Sequence, residues 1–591
     1  MLGEDRRLRL GERPTSAIFV TWLCVSVILL AVASTRILDN QYPDPDDALR
    51  LAQVRDLLAG QAWYDLHQYR MTPPDGTLMH WSRLVDLPIA GLILFLSLFM
   101  EMALAERVTM VVMPLIVLLL TMLVIGRLAW RLFDRQVAIF TCAAMILMPL
   151  VATQFQPMRI DHHSWQILSA AIALWAISWR KAAHGGAIAG LAMAAGLIIS
   201  LETIFLSAGF AGVLAMRWMR DNKQRWWLVS YLQSLALGLV GFFALTRGLP
   251  DLASHCDAIS PPHLGFFLIV ALGSGLLAAL PTLPRLSLLM GLGVSGLAGL
   301  GFVGWSEPQC LAPPFSGLDP LVRDYWYLNV GEGRPIWFAQ PATMIGAIVQ
   351  PLLGLGIAIF LASRSHDWVR VFWFEYAFVL AVALAGGMLT TRSMAFAGML
   401  CAVPFGWLFW RIVKYWRAHE HVAAKALAGL SLLVLFQPAA FAMLAIQLVQ
   451  GDAKPTAPRV AQSSCIVGGG VPLLNALEPT TLYSPLDIGP AILLETHHSV
   501  VASSHHRAEQ AMHDLIDGFT SDEASARRYI DQYQAGLVVV CMDLLEPKNF
   551  VLGGGEHSFM AQLTDGDLPD WLEPVDIGGP EELKVWRVIR D

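Results

Sequence analysis

LPIAGLILFLSLFMEMA, residues 87–103, is the stretch whose reading decides the topology of this chain. It is apolar but short, and acids close it at Glu101 and, just beyond, Glu106. Read as a full span, it puts the next basic group, Arg127, Arg131 and Arg135, on the outer face. Read as a helix lying in the outer interface, it puts that group inside. Arg180 and Lys181, then Arg217, Arg220, Lys223 and Arg225, then Arg364 and Arg370, then Arg411, Lys414 and Arg417 follow it there. Loops on the inner side of a membrane carry the excess of Lys and Arg, so the interfacial reading is adopted. Spans then fall near 17–35, 107–126, 136–153, 164–179, 186–201, 203–217, 226–246, 264–281, 286–305, 341–363, 369–389, 394–413 and 426–449, about thirteen helices.

Composition agrees with a polytopic α-helical membrane protein. The 591 residues are 55% hydrophobic and 15% charged, with mean hydropathy +0.54. A soluble chain of this size carries more charge. Arg6, Arg7, Arg9 and Arg13 precede the first apolar run, and Ala31-Val32-Ala33-Ser34 at its end is faintly like a cleavage site. A signal peptide therefore competes with a retained anchor, and the length of the span favours the anchor. The seven cysteines show no CxxC or zinc-ligand spacing. There is no serine or cysteine nucleophile motif, no P-loop, no dinucleotide fingerprint and no basic, aromatic-interleaved patch for nucleic acid.

With this parity four segments face outward: a first loop (36–106), a short loop at Asp161-His162-His163, a lid-like loop (306–340) and a C-terminal tail (451–591). The transmembrane part is 1–450. Gly451–Pro458 reads as a linker. The tail reads as a soluble α/β domain, with strands at Ser499–Ser503 and Leu537–Cys541 and helix between Arg507 and Gln534.

Two acidic clusters lie on that outer face. Pro43-Asp44-Pro45-Asp46-Asp47 follows the first span, and Arg159-Ile160-Asp161-His162-His163 sits between two later ones. Carboxylates at a membrane surface are costly to desolvate unless they bind something, and hard oxygen ligands suit a divalent cation such as Mg²⁺ or Mn²⁺. Asp44 and Pro45 also suit the start of a helix near Ala48, and both readings can hold at once. Asp161 can ligate a metal, and His162 and His163 can ligate it or touch phosphate. Arg392, at the outer end of a span, is placed to clamp a phosphate or to snorkel to the interface. His80-Trp81-Ser82-Arg83 in the first loop suits an interfacial anchor, with Arg83 able to meet a lipid phosphate. The loop 306–340, with Asp319, Arg323, Trp326, Glu332 and Arg334, has the length of a lid. His497-His498 and His505-His506-Arg507 look like part of a zinc cluster, but carboxylate and thiolate partners at metal spacing are missing. In the outward tail, Cys465 and Cys541 are expected to bridge.

Taken in order along the chain, these motifs resemble the GT-C superfamily of integral-membrane glycosyltransferases, and within it the catalytic subunit of oligosaccharyltransferase. Asp44-Pro45 followed by Arg50 is similar to that family's first acidic motif, Asp161 to its second, Glu332 to the glutamate of its fifth outer loop, and Arg392-Ser393-Met394 with Pro404 to the stretch that meets the carrier phosphate. The family's tryptophan-bearing acceptor signature is reduced here to Ser484-Pro485-Leu486-Asp487-Ile488-Gly489.

The resemblance implies transfer of a sugar or oligosaccharide from a polyprenyl-(pyro)phosphate carrier to a lipid, saccharide or protein acceptor. The site would lie at the outer face of a bacterial inner membrane, with the tail periplasmic. Asp44, Asp46, Asp47, Asp161 and His162 would hold Mn²⁺ or Mg²⁺. Asp44, Asp47 and Glu332 would serve catalysis, and His163, Arg392, His80, Trp81 and Arg83 would bind substrate. A flippase, polymerase or transporter of lipid-linked glycans is the alternative, and it would tend to bury charges mid-helix.

Overall fold

The computed structural model describes residues 14–280, 282–313, 315–450 and 463–590. The N-terminal arginines and the Gly451–Pro458 linker lie outside the described residues. Among these, ten helices are long and apolar enough to cross a membrane, from Thr15–Val32 to Thr391–Ala418, and up to twelve if each of two bent pairs is one span. The bends differ from the continuous spans read near 136–153 and 426–449. Arg135–Leu147 meets Pro149–Phe155 at 81°, and Val422–Phe436 meets Pro438–Leu448 at 94°. A proline opens the second helix of each pair. It lacks an N–H for the ladder and drives the residue before it out of helical geometry. The span read near 164–179 is the 15-residue helix His163–Ile177.

The stretch at 87–103 folds into Arg83–Ser97, 15 residues long, and the chain breaks before the 31-residue helix Met102–Leu132. Ser82 starts the shorter helix by accepting the Leu84 N–H at 3.2 Å. Leu94, Phe95, Leu98 and Phe99 leave its C-terminal end apolar and exposed. The first helix packs into the bundle. Ile18 is fully buried, and Trp22 Nε1 donates to the Leu115 carbonyl at 2.8 Å.

The tail forms a five-stranded sheet from β3 (Thr481–Tyr483), β4 (Ser499–Val500), β5 (Ala535–Cys541), β6 (Leu572–Pro574) and β7 (Leu583–Val588), in the order β4-β3-β5-β7-β6. A two-stranded antiparallel ribbon, β1 (His67–Gln68) with β2 (Thr77–Leu78), lies in the first loop. β3 runs parallel to β4 and β5, while β7 is antiparallel to β5 and β6. β5 is nearly buried throughout, as the central strand of the sheet, between parallel β3 and antiparallel β7. Glu509–Thr520 and Glu523–Gln532 form the helical connection read between the two strands.

The first loop docks on this sheet. Val500 N–H donates to Arg70 O (2.8 Å), Thr72 N–H donates to Val500 O (3.0 Å), and Arg70 reaches the Thr496 carbonyl at 2.8 Å. Leu49, Met71, Met79 and Trp81 are buried within the core of the tail. Docking of loop on tail fixes where the side chains of these two segments meet. Cys465 and Cys541 are bridged, as expected, and Cys256 with Cys310 forms a second disulfide.

Candidate active site

The first acidic cluster opens the helix Pro45–Leu58. Asp44 is its N-cap, accepting the Asp46 N–H at 3.1 Å, and Pro45 occupies the first turn, where its missing N–H costs nothing. Asp46 and Asp47 follow in that turn, at the positive end of the helix. Capping thus uses one Asp44 oxygen and leaves the other for the site.

Arg159 joins the two clusters. Its guanidinium is buried and meets Asp161 Oδ2 (3.1 Å), Asp44 Oδ2 (3.4 Å) and Glu332 Oε2 (3.9 Å), with Nε donating to Gln154 Oε1 (3.1 Å). The Asp161 backbone N–H donates to Asp47 Oδ1 at 2.9 Å. Just before Arg159, Met158 is buried with φ +73°, a left-handed turn that a side chain adopts only under constraint. Two clusters separated in sequence therefore share one centre.

Asp161 Oδ1 accepts the His163 N–H at 2.7 Å. His162 Nδ1 and His163 Nε2 each lie 3.6 Å from an Asp161 oxygen, too far for a hydrogen bond. One atom from each of Asp161, His162 and His163 lies within 4.8 Å of the others. Gln166 Nε2 donates to Thr203 Oγ1 (3.1 Å), so its Oε1 faces His163 Nδ1 at 3.2 Å as an acceptor. That hydrogen bond places a proton on Nδ1 and leaves Nε2 turned towards Asp161. Asp47 Oδ2, His162 Nδ1 and His163 Nε2 are buried without a hydrogen-bond partner.

Arg392 enters from the lid side. Its N–H donates to Glu332 O (3.0 Å), and Thr391 N–H donates to Arg334 O (2.9 Å). Its guanidinium is ion-paired with Glu202 and lies 3.6 Å from Glu332 Oε1. Glu332 is about one-third exposed and stands between Arg159 and Arg392. Carboxylates from Asp44, Asp46, Asp47, Asp161, Glu202 and Glu332 thus outnumber two guanidiniums in one mostly buried place.

Burial raises the carboxyls of Asp46 and Asp47 well above the usual range. Repulsion from Asp44 adds to the effect at Asp46, whereas Arg159 opposes it at Asp47. Burial, then Glu332, raises Asp44 as well. Asp161 goes the other way. Its burial pushes it up, but His163, Arg159 and His162 outweigh that and hold it below the ordinary carboxylate range. Burial, then the neighbouring His163, keeps the His162 ring well below its ordinary value. Neighbouring carboxyls with separated proton affinities are what acid–base chemistry requires.

Trp81 and Arg83 do not reach lipid, contrary to the interfacial reading. Arg83 is fully buried on Asp86 (3.2 Å) and on the Asp65 carbonyl (2.5 Å). Trp81 is 1% exposed, with the Arg50 guanidinium 4.6 Å over its ring. Neither can leave without stranding a buried charge or opening the core. His80 turns into the tail, where Nδ1 lies 2.9 Å from His505 Nε2.

The stretch Ser484–Gly489 builds core. Leu486 and Ile488 are buried, and the Leu486 and Asp487 N–H groups donate to the two Glu546 oxygens at 3.0 and 2.8 Å. Burial raises Asp487 to about 6.

Sequence reading missed Glu202 and left Arg159 without a role. Glu202 had a signal, an acid in Ser200-Leu201-Glu202 where one apolar helix gives way to the next.

No protein-family model matches the sequence, and no curated protein matches it. Solved structures do. The archaeal oligosaccharyltransferase AglB from Archaeoglobus fulgidus, in complex with an inhibitory peptide and a dolichol-phosphate, superposes with TM-score 0.66 at 12% identity, over 94% of this chain and 72% of that one. The A. fulgidus oligosaccharyltransferase tethered with an acceptor peptide containing the NVT sequon gives 0.61 at 13% identity, over 97% and 74%. Its complex with Zn and sulfate gives 0.59 at 13%, over 96% and 73%. At such identities the likeness establishes a fold shared with those structures and nothing finer.

Proposed function

We propose that this chain is a membrane glycosyltransferase that moves a sugar or oligosaccharide from a polyprenyl-(pyro)phosphate carrier to an acceptor hydroxyl on the outer face of a bacterial inner membrane. One observation carries the reading: Asp47 Oδ2, His162 Nδ1 and His163 Nε2 are bare and buried in one acid centre, with Arg392 beside it. In the same fold, the archaeal enzyme was solved with dolichol-phosphate in one structure and with Zn and sulfate in another.

The bare donors fit a divalent metal. Oxygen and imidazole ligands on buried, hydrogen-bonded supports suit Mn²⁺ and, with fewer nitrogens, Mg²⁺. Asp47, Asp161 and His162 would hold it, with Asp44 or Asp46 completing the set. When bound, it would neutralise charge on the leaving phosphate.

The remaining roles belong to the chain. Arg392 grips the carrier phosphate, its guanidinium suited to two phosphate oxygens. His163, held by Gln166, faces the sugar phosphate. The acceptor oxygen forms a bond to the anomeric carbon as that carbon's bond to the phosphate oxygen breaks. The electron pair leaves with the phosphate, and the acceptor proton passes to Asp44 or Asp47. Glu332 closes the site from the lid.

The acceptor is a lipid- or saccharide-borne hydroxyl in this reading. Leu486 and Ile488 are core side chains with no polar group for a sequon hydroxyl. Residues 1–450 form the membrane enzyme and 451–591 a periplasmic domain. Disulfides Cys256–Cys310 and Cys465–Cys541 support an oxidising compartment for the outer loops and tail.

The test is transfer by purified protein from a panel of polyprenyl-phosphate and pyrophosphate sugars, with Mn²⁺, with Mg²⁺ and with chelator, beside Asp47→Asn. Metal-dependent transfer that Asp47→Asn abolishes is the expected result. Equal product from wild type and variant defeats the assignment.

A further inference from the structure

Apart from the acid centre, one cluster of metal-ligand chemistry stands out. His80 comes from the first loop, and His505 and His506 come from the segment after β4. Their ring centroids lie 5.0, 4.9 and 5.1 Å apart pairwise, so the three imidazoles surround one point. One nitrogen from each belongs to a set within 4.8 Å of one another. His80 Nδ1 and His505 Nε2 face each other at 2.9 Å.

Hydrogen bonding among the rings does not satisfy them. His505 is 2% exposed, and its Nδ1 has no partner. Whichever of His80 and His505 donates across their contact, that buried nitrogen is left over. His506 Nε2 is held by Asp257 Oδ2 at 2.7 Å, and Asp257 is gripped by Arg507 Nε and Nη2, each at 2.8 Å. A carboxylate behind an imidazole is the support that orients histidine ligands. Arg247 fixes the His80 backbone by donating to its carbonyl at 2.5 Å. Trp81 lies edge-on to His505, and Phe315 and Trp326 from the lid-like loop lie against His506, which makes an aromatic wall.

We propose that His80, His505 and His506 form a second metal site, a three-histidine centre for a divalent ion of the zinc class. Imidazoles at this spacing match Zn²⁺, which takes nitrogen ligands at about 2.0–2.1 Å. The ion clasps the first loop to the tail, and Asp257 ties in the loop that the Cys256–Cys310 disulfide anchors. The site is separate from the acid centre in ligands and in charge, and it holds whether or not the transferase reading does.

Cobalt tests it on the full-length protein in detergent. Co²⁺ added to metal-stripped wild type gives the visible absorption of a low-coordinate nitrogen-ligated ion, and Zn²⁺ abolishes it. No such band in wild type overturns the proposal without any variant. Metal content is then measured in an Asp161→Asn background, which disables the acid centre. Zinc is retained there and in the added variant His497→Ala, an exposed tail histidine. It falls more than about tenfold in His80→Ala and in His505→Ala at unchanged gel-filtration position. Unchanged zinc in both variants defeats the assignment. If either variant aggregates, His80→Gln and the wild-type cobalt spectrum decide.

Discussion

The acid centre and the histidine cluster both draw on the first loop but are built on opposite principles. In the acid centre, adjacent residues share a helix start or a short loop, charge is in surplus, and Arg159 sits among the carboxylates as a counter-ion. In the histidine cluster the ligands are imidazoles, 425 residues apart from first to second, and one buried nitrogen is left unmatched. The first arrangement stores repulsion that a cation or a proton relieves. The second stores geometry, and it exists only because the first loop docks on the tail.

The comparison breaks most readily at Arg159. Arg159→Gln leaves buried carboxylates without their partner, and a stability loss of about 3–5 kcal/mol is expected by denaturant titration in detergent. A loss under about 1 kcal/mol, the size of a surface pair, means that the carboxylates do not depend on it.

Next comes chemistry. Asp161→Asn removes the ionised carboxyl that organises both histidines, and kcat is expected to fall about 10²–10³-fold, the scale for losing one preorganised charge-stabilising group. A change in KM alone would move Asp161 out of the catalytic group.

Arg392→Lys keeps the charge and loses the fork. Donor KM is expected to rise about tenfold with kcat nearly unchanged, as for loss of a bidentate phosphate contact. No change places the phosphate elsewhere.

The smallest effect lies in the tail. Asp487 has a folded pKa of about 6, above the unfolded value, so the folded state holds its proton more tightly. Stability from this group is present at low pH and is lost as pH rises to about 6. Asp487→Asn is therefore expected to stabilise by about 1 kcal/mol above that pH, with the gain gone by about pH 4. Melting temperatures at pH 8 and pH 4 show it, and an equal gain at both defeats the attribution to charge.

Parts of this were legible in the residues. Asp44-Pro45-Asp46-Asp47 and Asp161-His162-His163 announced themselves because their donors are neighbours in sequence, and Glu332 and Arg392 stood out as charges beside apolar spans. The roles read for Trp81 and Arg83 failed for a physical reason. An aromatic or a guanidinium near an interface reads the same whether it faces lipid or a core, and burial on Asp86 and the tail decided it. The bends at Pro149 and Pro438 were signalled by the prolines, but a hydropathy window averages across them.

By itself the sequence determined a polytopic membrane protein, because the cost of burying charge in hydrocarbon writes itself into local composition. Local spacing also determined the helix start that presents Asp44 and Asp47. Only the tertiary structure decided that Asp47 meets Asp161, that Cys256 pairs with Cys310, and that His80 completes a ring with His505 and His506. Those contacts join residues distant along the chain, and their energy comes from docking one segment on another. No local pattern records such a contact, because neither partner constrains the residues beside the other.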